Sequence, residues 1–249
     1  MSKQRLDQHL VDKGLFPSRA RARDAILRGT VTIGGTVCTK PAQKVGPDVA
    51  VEVADPASRY VSRAALKLIE GLERFGVDPS GKVCLDIGAS TGGFTQVLLE
   101  NGAARVHAID VGHDQLHESL RNHPGVRAQD GLNARELTLQ HLENQRPELV
   151  VSDVSFISLR LALPPALELA SPGAEGIFLV KPQFEAGKDN IGKGGLVAPA
   201  VAEETALQLQ SWLATIPGWT AGDLVPSPVK GGDGNAEWLL YGQKQVARP

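Results

Sequence analysis

Apolar residues recur along the chain at two periods, one helical and one of strands. Leu6, Leu10 and Val11 suit a short amphipathic helix ended near Gly14. A second helix is predicted over Arg19 to Arg28: Ser18 offers an N-cap, Gly29 sits where a C-terminal cap falls, and Ala22, Ala25, Ile26 and Leu27 form one stripe. The period then drops to two. Val31-Thr32-Ile33, a Gly34-Gly35 turn, Val37, and the alternation from Val49 to Val53 read as short strands joined by a hairpin. A further helix is expected from Ser62 to Phe75, with Leu66, Ile69, Leu72 and Glu73 or Phe75 at three- and four-residue spacing and Gly76 to end it.

The remainder alternates apolar runs with helical stretches. Val83–Ile87, Val106–Asp110, Gly125–Ala128, Leu149–Ser152 and Gly176–Val180 are near-continuous apolar strands, the pattern of a parallel sheet covered on both faces. Helices fit the intervals at Phe94 to Asn101, Leu161 to Ala170 and Pro199 to Leu213. Two last strands, near Thr220–Val225 and Ala236–Tyr241, suit an antiparallel hairpin at one edge. The expected fold is α/β: a Rossmann-like seven-stranded sheet with its last strand reversed, preceded by a small α+β domain. The expected boundaries are 1–55 for the small domain, 56–61 for a linker and 62–249 for the body.

Charge sharpens this division. The whole chain carries a net charge of −2, but residues 1–59 hold ten basic residues against six acidic ones, leaving −6 for the remainder. A basic piece suits a polyanion, and an acidic body suits a cationic ligand. Two cysteines are too few for a disulfide framework or a cysteine metal site, so no metal is expected and a cytoplasmic location is. No apolar run nears the ~18 residues of a bilayer span, and no signal peptide is evident, so no membrane partner is expected.

The strand ending at Ile87 runs into Gly88-Ala89-Ser90-Thr91-Gly92-Gly93, then a helix, then a strand ending in Asp110. That is the first unit of a nucleotide-binding α/β domain, in which glycines admit the ligand to the backbone and the acid accepts from ribose hydroxyls. The turn lacks the middle glycine of the dinucleotide pattern, which favours a ligand without phosphates, and S-adenosylmethionine is the common one. Gly88, Ala89, Ser90, Thr91, Gly92, Gly93 and Asp110 are therefore candidate cofactor contacts, with Asp130 near the adenine and Asp86 organising the turn or the methionine end. Ligands of open α/β sheets bind at the carboxyl ends of the strands. Asp153 and Lys181 directly follow buried runs, and Glu237 begins the reversed strand at the same edge. Lys67, on its helix, could simply face water.

Two stretches resemble known families. Arg5-Leu6-Asp7, Ser18-Arg19-Ala20-Arg21-Ala22, Ile26-Leu27-Arg28-Gly29 and Val31-Thr32-Ile33-Gly34-Gly35 resemble the S-four RNA-binding domain over residues 4 to about 53. The resemblance implies RNA rather than DNA as partner, with Arg5, Arg19, Arg21, Arg23, Arg28 and Lys40 as candidate phosphate contacts. Lys67, Asp153, Lys181 and Glu237 match in order the Lys-Asp-Lys-Glu tetrad of the FtsJ-like ribose methyltransferases. With the runs Ser62 to Leu68, Asp86 to Thr95, Ser152 to Ser158 and Val180 to Glu185, the chain resembles the TlyA family of rRNA methyltransferases over nearly its whole length. That resemblance implies methyl transfer from S-adenosylmethionine to the 2′-hydroxyl of a cytidine in ribosomal RNA or ribosomal subunits, and the chain length favours the large subunit.

The tetrad makes chemical sense. A ribose hydroxyl is a poor acid, so attack on the sulfonium methyl benefits from a base. An amine fills that role only when a second positive charge nearby disfavours its protonated form, whereas carboxylates favour it. The expectation is that Lys181 is the base, Lys67 the second cation, and Asp153 and Glu237 the groups that orient them. Three rivals are an oxidoreductase on the same fold, which the glycine pattern disfavours; a haemolysin-like membrane-active protein, which finds no spanning segment; and a noncatalytic RNA-binding assembly factor, which leaves the tetrad without a role.

Overall fold

The computed structural model describes residues 3–246 and divides the chain into two compact units, Met1–Arg59 and Tyr60–Pro249. The first unit opens with β1 (Gln4–Arg5), α1 (Leu6–Asp12) and α2 (Arg19–Leu27), followed by β2 (Val31–Ile33), β3 (Thr36–Val37), β4 (Lys44–Val45) and β5 (Val51–Val53). Ser18 caps α2 by accepting from the Arg21 amide, and Gly29 follows its end with φ +76°. Strand β2 pairs antiparallel with both β3 and β5. Its core joins Leu6, Leu10, Phe16, Ala22, Ala25, Ile26, Val31, Cys38 and Val45. Leu27, expected in the stripe, is instead 55% exposed, because Ala22, Ala25 and Ile26 alone fill the angle that faces α1 and the sheet. The β1–β4 pairing was not foreseen; two-residue strands carry too little pattern to show a period.

Several basic residues of this unit are engaged within it. Buried Asp7 accepts from Arg5 at 2.8 and 3.0 Å and from Arg19 at 3.3 Å, and these partners, Arg5 foremost, hold its carboxyl below its ordinary pKa against burial. Arg28 pairs with Asp24 and lies 2.8 Å from both oxygens of Asp55. Arg21 donates to the Ala57 carbonyl. Arg23 and Lys40 are exposed.

The second unit contains α3 (Ala65–Phe75), β6 (Val83–Ile87), α4 (Gly93–Glu100), β7 (Arg105–Asp110), α5 (Glu118–Arg121), β8 (Val126–Asp130), β9 (Leu149–Ser152), α6 (Leu159–Ala162), α7 (Pro164–Leu169), β10 (Glu175–Val180), α8 (Pro199–Leu213), β11 (Trp219–Pro226) and β12 (Trp238–Lys244). The seven strands lie in the order β11-β12-β10-β9-β6-β7-β8. β6 to β10 pair parallel, whereas β12 runs antiparallel to both β10 and β11. The expected seven-stranded sheet with a reversed last strand is thus present. One face packs Leu85, Ile87, Val150, Phe178 and Val180 under α6, α7 and α8; the other packs Cys84, Leu149, Val151, Ile177 and Leu179 under α3 and α4. Alternate residues of the same strands serve opposite faces, the geometric reason these strands are apolar throughout. Burial pushes the Cys84 thiol up to about 12, which leaves it unreactive.

Three expectations about helices are corrected. α3 begins at Ala65, not Ser62, because Ser62–Ala64 form a turn in which Ser62 accepts from the Ala64 and Ala65 amides. Its inward stripe is Ala65, Leu68 and Leu72 with Lys67; Leu66, Ile69 and Phe75 are only half-buried and Glu73 is exposed. The expected helix over 161–170 is split into α6 and α7, since Pro164 and Pro165 bring no amide hydrogen and restart the helix at its first turn. Among the described residues no helix is long and apolar enough to cross a membrane.

Replacing Arg28 with Ala leaves the Asp55 carboxylate, whose side chain is 2% exposed, without its cationic partner and with the Ala57 amide as donor. The expected loss is about 3 kcal/mol of stability, against under about 0.5 kcal/mol for exposed Arg23→Ala; urea unfolding of the two variants checks both.

Candidate active site

Strand register brings the tetrad together. β9 and β10 pair Ser152 with Phe178, and β10 and β12 pair Val180 with Trp238. Asp153, Lys181 and Glu237 are the residues just beyond these ends, so all three emerge at the carboxyl edge. α3 supplies Lys67 from above the sheet; it is buried, at 5% exposure, and does not face water. Lys67 Nζ donates to Glu237 Oε2 at 2.6 Å and stands 4.0 Å from Asp153 Oδ2. Lys181 Nζ forms an ion pair with Asp153 Oδ1 at 2.6 Å and donates to Ser155 Oγ at 2.8 Å. Asp153 therefore bridges two ammonium groups, one at each oxygen. Burial raises the Glu237 pKa, opposed by Lys67 and reinforced by Asp153.

The glycine turn lies beside this cluster. Gly88 has φ +78°, and a Cβ there would stand 3.1 Å from the Val154 Cα and 3.2 Å from the Asp153 carbonyl, so only glycine lets the turn lie against the Asp153 loop. Gly92, at φ +98°, leaves room for Leu116 and Leu120 and serves packing. Asp110 accepts from the Ser90 amide at 2.8 Å and the Gly112 amide at 2.7 Å, fixing the turn with the same carboxylate that lines the cleft.

Three neighbouring spaces follow the carboxyl edge. A cavity of about 470 Å³ is lined by Gly88, Ser90, Asp110, Val111, Asn133 and Phe156 among others. A smaller one of about 140 Å³ lies between Ala89, Thr91, Gly93, Asp153 and Lys181. A third, of about 260 Å³, holds all four tetrad residues with Arg63, Gln183 and Asp233. Asp153 and Ser155 line all three, so the spaces are neighbours along the edge that carries Asp110, Asp153 and Glu237. The first space has the size and largely apolar lining of a small-molecule site, and its polar groups, Ser90, Asp110, Gln115, Asn133, Asp153 and Ser155, include two carboxylates that suit a ligand bearing positive charge.

Two cofactor candidates sit elsewhere. Asp130 is paired with Arg121 at 2.8 Å and accepts from the Asp114 amide; these bonds, Arg121 first, lower its pKa. It does not line the cleft, whose wall there is Leu132, Asn133 and Ala134. Asp86 is fully buried and accepts from Thr95 Oγ1 at 2.7 Å, tying β6 to α4, and burial pushes its pKa up to about 7.

Sequence reasoning missed Ser155, the acceptor beside Lys181, and the aromatic pair Phe156–Phe184, whose ring centroids lie 5.1 Å apart. Phe156 is 91% exposed and has φ +64°, an uncommon conformation for a bulky residue. A large aromatic directly after a strand's carboxyl end, outside any buried stripe, was the available signal.

Known proteins agree with this geometry. Residues 60–244 match the FtsJ-like methyltransferase family and residues 4–51 the S4 domain. A 16S/23S rRNA (cytidine-2′-O)-methyltransferase TlyA of Mycobacterium tuberculosis is 43% identical over 98% of this chain and 91% of its own length. The chain belongs to the TlyA family of FtsJ-like methyltransferases. Other TlyA-like relatives include Hemolysin A of Brachyspira hyodysenteriae, 38% identical over 95% of this chain and 98% of its own. A solved hemolysin structure from Streptococcus thermophilus superposes with a TM-score of 0.76 at 36% identity, covering 98% of this chain and 90% of that one. The second unit is thus a methyltransferase fold and the first an S4 RNA-binding domain.

The raised Asp86 pKa has a definite sign. Stability from its neutral form is full below the ordinary carboxylate value of 3.8 and is lost as pH rises through about 7. Asp86→Asn should therefore flatten the decline in urea midpoint between pH 4 and 8; curves that stay parallel to wild type contradict the assignment.

Proposed function

We propose that this protein transfers the methyl group of S-adenosylmethionine to the 2′-hydroxyl of a cytidine in ribosomal RNA. The observation that carries the reading is the Asp153 carboxylate holding Lys181 at one oxygen and facing Lys67 at the other, at the end of a cleft sized for the cofactor.

The residues of Gly88 to Thr91, with Gly93, Asp110 and Val111, would hold the cofactor. When bound, it supplies a methyl group made electrophilic by the sulfonium. Everything else falls to the chain. The Lys181 ammonium paired with Asp153 first gives up a proton to solvent, a loss that the neighbouring Lys67 ammonium favours, and the neutral amine then takes the proton of the ribose hydroxyl as the oxygen attacks. Asp153 and Ser155 aim Lys181, and Glu237 anchors Lys67. The remaining gain is alignment of hydroxyl and methyl in a cleft whose walls exclude competing geometries. Phe156 offers its ring at the cleft mouth as a stacking surface for the base turned out of the RNA. On the S4 unit, Arg19, Arg23 and Lys40 are the exposed phosphate contacts, with Arg5 and Arg21 beside them, while Arg28 serves the fold.

Incubation of the purified protein with ribosomal subunits lacking the modification and labelled S-adenosylmethionine, followed by mapping of ribose methylation, tests the reading. Wild type labels a cytidine ribose and Lys181→Ala loses at least about 10²-fold in kcat; label on a base, or none on rRNA, overturns it. Phe156→Ala should raise the KM for RNA about tenfold, measured with the same subunits.

A further inference from the structure

Lys181 is carried by the loop after β10, while its partners Asp153 and Ser155 belong to the loop after β9. These loops are separate in sequence, and the position of the Lys181 amine depends on how they are joined. The Glu185 carboxylate joins them. Its Oε2 accepts from Ser158 Oγ at 2.6 Å and its Oε1 from the Leu159 amide at 2.7 Å, so both oxygens of a residue four beyond Lys181 grip the segment five and six residues beyond Asp153. The turn between them is short: Pro182–Phe184 form one turn of 3-10 helix, and the Glu185 amide donates back to the Pro182 carbonyl, so displacement of Glu185 is passed to Lys181.

The gripped loop needs holding. Phe156, between Ser155 and Ser158, has φ +64°, a conformation that persists in a bulky residue only when its surroundings enforce it. Two ties flank it: the tilted packing of Phe156 on Phe184 and the Glu185 clasp. Glu185 itself is half-buried, and nothing in the cleft requires a carboxylate there; it lines none of the three spaces described above. A cap for the four-residue helix α6 does not need it either, because Ser158 already accepts from the Arg160 amide.

We propose that Glu185 is a positioning residue for methyl transfer: by clasping Ser158 and Leu159 it holds the Lys181 loop in register with the Asp153–Ser155 loop. It touches neither ligand nor reacting atom, so it acts through the placement of Lys181. The inference rests on the methyltransferase reading above, in which Lys181 receives the proton.

The test is steady-state methyl transfer to ribosomal subunits by the full chain, with S-adenosylmethionine affinity and melting temperature measured on the same samples. Glu185→Ala is expected to lower kcat by roughly 10²-fold, the effect of a misplacement of about 1 Å, while cofactor Kd and the KM for RNA stay within about twofold. Glu185→Gln keeps an oxygen for the Leu159 amide and an amide for Ser158, and should restore most of kcat. Should Glu185→Ala not fold, Ser158→Gly breaks one arm of the clasp at an N-cap position where glycine is tolerated, and kcat should fall about tenfold. Unchanged kcat in whichever of these variants folds, a loss seen only in cofactor or RNA binding, or a Gln variant as impaired as Ala would each overturn the inference. A wild-type protein that transfers no methyl group to RNA removes the functional reading and this inference with it, whereas an active wild type with an unaffected Glu185→Ala removes this inference alone.

Discussion

The site depends on one carboxylate shared between two ammonium groups. Asp153 meets Lys181 at 2.6 Å through one oxygen and Lys67 at 4.0 Å through the other, and Glu237 closes the chain against Lys67 at 2.6 Å. Two lysines held this close would repel, and two buried carboxylates would stay neutral, if either pair stood alone. Alternated, the four charges tolerate burial that none could sustain singly. The raised Glu237 pKa records the residual cost of that burial, and Lys67 is what opposes it.

Sheet topology makes the arrangement possible. Parallel β9 and β10 end at the same edge, and the antiparallel β12 begins there, so three residues from positions 153, 181 and 237 emerge at one edge. The fourth comes from α3, whose inward stripe of Ala65, Leu68 and Leu72 sets the helix rotation that turns Lys67 toward the cluster. The turn at Gly88 lies against the Asp153 loop through contacts that a side chain would obstruct, which couples the cofactor wall to the tetrad.

Much of this was legible in the residues. The apolar runs gave the parallel strands because burial on both faces leaves no polar alternation, and the reversed last strand followed from reading the two closing strands as an antiparallel hairpin at the edge. Asp153, Lys181 and Glu237 could be placed because each adjoins a buried strand end. Lys67 could not: on a helix, period alone does not say whether a lysine snorkels or turns inward, and only the family resemblance singled it out. For Asp130 the strand end shows where the residue emerges, whereas its pairing with Arg121 requires the fold. Ser155, Phe156 and Glu185 act through loop geometry, which has no period to read. The charge division between the two units was visible in composition, but the engagement of Arg28 by Asp24 and Asp55 was not, since partners 4 and 27 residues away require the fold.

If the Asp153-bridged cluster is the working unit, its members cannot contribute independently. A double-mutant cycle on kcat with Lys67→Ala, Lys181→Ala and the double variant, at saturating cofactor and RNA, measures this directly. The account predicts strong non-additivity, with the double variant little worse than the poorer single one. Losses that simply multiply would show two lysines acting separately and would contradict it.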